Sequence, residues 1–171
     1  MLFSAYLASW RLDDFMELLA SQLRAIADQM GLPTTRQIAK APGVSAVYRL
    51  TVRYHDRRAA DSVATLRRIG KGDSLLEIVY RGLFNHKPVI AALDTERYNA
   101  FVDALQKVHF DNLSDQQNIP PHGVDLWLLE RGAGTFNKSV ILAPELTGSV
   151  FARLVYLVGA TLPEAIREVK S

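Results

Sequence analysis

The sequence predicts an α+β fold: an antiparallel sheet built from a four-stranded meander and a later two-stranded hairpin, packed by two helices, with an N-terminal helical arm. Three observations carry that expectation. The apolar period changes from helical to two at Ser45. Turn-forming residues separate the alternating runs that follow. Strand-helix-strand alternation of the kind that builds parallel nucleotide-binding sheets is absent. With 171 residues, 49% of them hydrophobic and 22% charged, the chain has material for one ordinary core and is neither disordered nor collagen-like.

Residues 1–31 form the arm. Phe15, Met16, Leu18, Leu19, Leu23, Ile26, Ala27 and Met30 recur at helical spacing, with Glu17, Arg24 and Asp28 between them. Asp13 or Asp14 is expected to cap the start, and Gly31 followed by Pro33 to end it. Leu2, Phe3, Tyr6, Leu7 and Trp10 make an apolar lead ahead of the helix. Such an arm either packs on its own sheet or docks on a second molecule. Residues 32–44, containing Pro33, Pro42 and Gly43, read as a linker that permits both, and residues 45–171 as the α+β domain.

In the first strand Tyr48, Leu50, Val52 and Tyr54 alternate with Arg49, Thr51, Arg53 and His55, which predicts one buried face and one wet face. Asp56 to Ala59 make the turn into a second strand, 61–69. The Gly70-Lys71-Gly72-Asp73 hairpin leads to a third, 75–81, and a fourth, 88–93, opens on Pro88. Asp94 or Thr95 caps a helix with the stripe Tyr98, Phe101, Val102, Leu105 and Val108. After an irregular stretch, 111–123, come strands 124–130 and 135–142 and a helix over 146–158 that Gly159 ends. Pro163 then opens a short helical turn. Along the strand from Val124, Trp127 shares a face with Asp125 and Leu129, opposite Val124, Leu126 and Leu128. That strand is expected to be covered on both sides, with the arm helix as one cover.

Zero cysteines remove disulfides and thiolate chemistry. Uncharged stretches reach only ten residues, too short to cross a bilayer, and the first charge, Arg11, follows the N-terminal apolar run where a signal peptide would have it ahead. A cytoplasmic protein without a membrane partner is expected. Net charge is +2 but uneven: residues 1–35 carry −2, residues 36–81 carry +6 and residues 82–171 carry −2.

Catalytic strings are missing. There is no phosphate loop, no GxSxG and no HExxH. His109, Asp111, Asp115, His122 and Asp125 have acid and imidazole spacings that a metal-dependent hydrolase would need to converge, a reading weaker than loop hydrogen bonding. No enzyme activity, cofactor or metal is expected. The basic meander is the better candidate: Arg49 and Arg53 share a strand face, Arg57 and Arg58 lie at its turn, and Arg67 and Arg68 lie near the end of the next strand. Tyr48 and Tyr54 fall on the opposite face, so stacking aromatics for nucleic acid are not expected and an acidic protein surface is the favoured complement. The candidate partner-binding residues are Arg49, Arg53, Arg67 and Arg68, then Asp115, Pro120, Pro121 and His122.

Residues 75–158 also resemble the emfourin-type inhibitors of metalloproteases. The matching text is LLEIVYRGLF, ALDTERYNAFVDAL, HFDNL, PPHGVDLWLLE, SVILAPE and FARLVYLV. That resemblance implies two strands, a helix, two strands and a helix. Where the family has a glycine pair after an arginine, Arg81 is followed here by Gly82 and Leu83. The leading expectation is a non-enzymatic interaction or accessory protein that binds another protein or a second copy of itself. The alternative is a proteinaceous metalloprotease inhibitor.

Overall fold

The computed structural model describes residues 2–170, and side chains from residue 12 onward. In chain order the elements are α1 (Leu2–Gln29), α2 (Thr35–Ala39), β1 (Val44–Arg53), β2 (Ser62–Ile69), β3 (Ser74–Tyr80), β4 (Val89–Leu93), α3 (Thr95–Lys107), β5 (Leu126–Ala133), β6 (Phe136–Leu142) and α4 (Ser149–Thr161). The six strands form one antiparallel sheet, ordered β4-β3-β2-β1-β5-β6. The meander and the later hairpin are therefore joined by β1 pairing with β5.

Period-two alternation gives each strand two faces, and both need cover. On the front face one row runs Val89, Ile78, Ala64, Leu50, Leu129, Val140 across all six strands. Phe101 and Leu105 of α3 and Leu154 and Val158 of α4 close over this face. On the back face Val63, Val79, Leu126, Leu128 and Ile141 are covered by Leu19, Leu23, Ile26, Ala27 and Met30 of α1. The arm thus packs on its own sheet, and β5 is sandwiched as its alternation requires.

Several expectations need correction. The N-terminal helix does not start at Asp13 or Asp14; both are exposed within a continuous α1, where solvent-facing aspartates cost little. Leu18, expected in the apolar stripe, is 53% exposed. The side chains of Leu2, Phe3, Tyr6, Leu7 and Trp10 lie outside the described residues. Gly31 does end the helix: its φ of +71° places it in the left-handed region, and the Leu32 N–H reaches back to the Ala27 carbonyl.

The linker is itself structured. Thr34 and Gln37 form a reciprocal capping box at the start of α2. Its Ala39 sits so close to Gly132 that a Cβ there would lie 3.1 Å from the alanine methyl, so glycine permits this approach. Gly159 does not end the last helix; α4 continues to Thr161, and Pro163 follows as the stop.

Leu23 is fully buried between α1 and the back face. Leu23→Ala is expected to lower stability by about 3 kcal/mol, whereas Leu18→Ala should change it by less than about 0.5 kcal/mol, both read from urea unfolding.

Candidate functional site

The back face carries one polar row among its apolar ones. Cross-strand register aligns Glu77, Thr65, Arg49, Glu130 and Ser139. Arg49 is only 3% exposed, and its guanidinium donates to Thr65 Oγ1 at 3.0 Å and to the Pro33 carbonyl at 2.8 Å. Burial lowers its pKa, an effect that Glu130 opposes and Arg67 reinforces. Arg67 pairs with Glu77, and Arg24 of α1 reaches Glu130 at 3.3 Å and Ser139 at 3.0 Å. Arg68 lies on the other face, stacked over the Tyr98 ring at 4.5 Å.

The four expected arginines therefore do not make one surface patch. Arg49 is a buried tie between linker and sheet, Arg67 is neutralised, and Arg68 faces α3.

The fourth, Arg53, opens onto a groove at the end of the sheet. Arg53 ends β1, His55, Arg57 and Asp61 lie in the β1–β2 turn, Arg81 follows β3, and Pro121 and His122 precede β5; these residues line a space of about 340 Å³. Gln22 and Gln29 of α1 form its rim. Arg53 donates to Gln22 Oε1 at 3.2 Å, and Arg81 donates to Gln29 Oε1 at 2.6 Å. Asp61 accepts from the Tyr54 N–H at 3.0 Å and from Arg81 at 3.3 Å, which fixes the turn against β3. Among the described residues Arg53 and Arg57 have no carboxylate partner.

Behind the groove Asp125 organises the wall. It is 3% exposed and accepts from the His55 N–H at 3.0 Å, from His55 Nδ1 at 2.8 Å and from Arg58 at 2.5 Å. With the carboxylate as acceptor, His55 Nδ1 carries the proton and Nε2 is left available to a ligand. Burial alone would raise the Asp125 carboxyl, but the Arg58 guanidinium and the His55 N–H groups hold it at about 2. The Glu145 carboxyl is raised by the facing Asp125. Arg58 also binds Asp56 at 3.0 Å and Glu168 at 2.9 Å, so it knots the turn to the C-terminal segment.

His55, Asp56 and Asp125 place ligand atoms within 4.8 Å of one another, the geometry of a candidate cation site. The Arg58 guanidinium already binds both aspartates, and its positive charge opposes a metal there. The aspartates of the weaker metal-hydrolase reading, built on His109, Asp111, Asp115, His122 and Asp125, are dispersed in role. Asp111 binds Arg131 at 2.9 Å, Asp115 accepts the Ile141 N–H at 2.8 Å, and Asp125 holds Arg58. Asp115 is thus an edge cap for β6, and Pro120 is not among the residues lining the groove.

Compared with known proteins, the chain matches no family model and no curated protein. Of the residues lining the groove, the sequence singles out Arg53 as part of a basic patch, Pro121 and His122 as part of a separate loop, and Arg57 at the turn. It places His55 only on the wet face of the first strand and gives Asp61 and Arg81 no binding role. The Asp125-to-His55 pairing, 70 residues apart, has no local signature.

Asp125 has a folded pKa of about 2 against an ordinary 3.8, so it stabilises the fold above about pH 4, and that contribution is lost as pH falls toward 2. Asp125→Asn is expected to cost about 2 kcal/mol at pH 7, with the gap to wild type closing between about pH 4 and pH 2 in urea titrations.

Proposed function

We propose that the chain is a non-enzymatic binding protein that takes an acidic segment of a protein partner in the groove between α1 and the β1–β2 turn. One observation carries this reading: among the described residues Arg53 and Arg57 present positive charge without carboxylate partners beside His55 and His122, in a concavity of about 340 Å³. Two guanidiniums in such a groove suit carboxylates, which they can clasp with paired N–H donors. The non-enzymatic reading is supported by Asp111, Asp115 and Asp125, which are each engaged in holding the fold.

Anisotropy with a labelled polyglutamate peptide of about ten residues tests this. Wild type should bind with an affinity that falls as salt rises, and Arg53→Glu with Arg57→Glu should weaken binding at least tenfold with an unchanged unfolding midpoint. An unbound peptide, equal binding by the double variant, or tighter binding of a single-stranded oligonucleotide of equal charge would contradict it.

A second reading, an emfourin-like metalloprotease inhibitor, is supported by the order β3-β4-α3-β5-β6-α4 over residues 74–161. It expects micromolar protein to slow a purified thermolysin-like peptidase; undiminished cleavage rejects it.

A further inference from the structure

We propose that two copies of this chain associate edge to edge through β4, antiparallel, to make one continuous sheet. β4 is the terminal strand on its side, and among the described residues its N–H and C=O groups have no partner outside β3. An unpaired edge is a template for another strand. This edge is also apolar: Val89 is 44% exposed and Ile90 59% exposed. Phe84, stacked edge-on against Tyr80 at 6.0 Å and 56% exposed, extends the patch.

The occupant is a second copy because the strand is self-complementary. Lys87 stands just before β4, and Asp94 and Glu96 stand just after it, all three exposed. Antiparallel pairing about a two-fold axis at Ala91, the centre of β4, sets Lys87 of each molecule opposite Thr95 and so beside Asp94 and Glu96 of the other, twice over. The same axis sets Ile90 against Ala92 on the back face and Ala91 against its own copy on the front, since directly opposed residues share a face. A parallel neighbour would bring like charges together.

A two-fold contact uses β4 of both molecules and so closes at two, and the far edge is blocked at one end. Along β6 the Ile141 N–H is taken by Asp115, the Ile141 carbonyl by the Gln116 N–H and the Ala143 N–H by the Gln116 side chain. That loop occupies the C-terminal end of the edge a third molecule would need. Pro88, lacking an N–H, confines the new ladder to the five residues of β4. The contact is short and its affinity belongs to the micromolar range.

Sedimentation equilibrium of the full chain from about 1 to 200 µM tests this. Wild type should pass from monomer to dimer across that range without larger species. Ile90→Lys, at an exposed position, should weaken dimerisation at least tenfold with unchanged far-ultraviolet circular dichroism. Lys87→Glu should weaken it about fivefold, and adding Glu96→Lys should restore most of the loss; this charge pair decides the matter if Ile90→Lys does not fold. A wild type that stays monomeric throughout, a dimer that withstands Ile90→Lys, or a charge reversal without rescue would overturn the proposal. Dimerisation through another part of the molecule falls under the second of these outcomes.

Discussion

Everything in this molecule depends on covering the back face of its sheet. Val63, Val79, Leu126, Leu128 and Ile141 point away from α3 and α4, and each buried aliphatic side chain is worth about 1.5–3 kcal/mol relative to exposure. The helix long enough to cover them is α1. Once Leu19, Leu23, Ile26 and Met30 are seated there, the polar side of the same helix has a fixed position: Arg24 falls on Glu130, Gln22 on Arg53 and Gln29 on Arg81. The helix that completes the core thereby also forms the rim of the groove.

The polar row within the back face is the price of that arrangement and its register mark. Arg49 lies beneath the linker, where an unpaired guanidinium would be strongly unfavourable, so the Pro33 carbonyl and Thr65 must be in place to receive it. A slip of one residue in β1 would turn Arg49 toward the α3 and α4 side and Leu50 toward the linker. The charge thus fixes the strand against both neighbours and holds residues 33–39 close to the sheet. Asp125 acts similarly at the end of the sheet, where one buried carboxylate joins His55, Arg58 and, through Arg58, Glu168.

Much of the fold was legible because strand alternation is a local signal. Tyr48, Leu50, Val52 and Tyr54 declare a face, and the glycine turn at residues 70–73 declares a hairpin. Alternation tells which residues share a face but not what covers it. Arg49 and Arg53 read identically in sequence, yet one lies under the linker and the other opens to the groove. Asp13 and Asp14 looked like a helix start because capping residues and solvent-facing helical residues are the same types. The short α2 had a readable signature in Thr34 and Gln37, hidden within a proline-containing stretch that reads as linker. The groove was only partly legible because Arg53, Asp61, Arg81 and His122 come from four separate chain segments that only the antiparallel register brings to one end of the sheet.

Native-state hydrogen exchange measures the central claim directly. If α1 is the back wall of the core, the amides of residues 19–30 open with the same free energy as those of β1 and β5, as one cooperative unit. Exchange of that segment at a much lower free energy, with the sheet amides still fully protected, would contradict it.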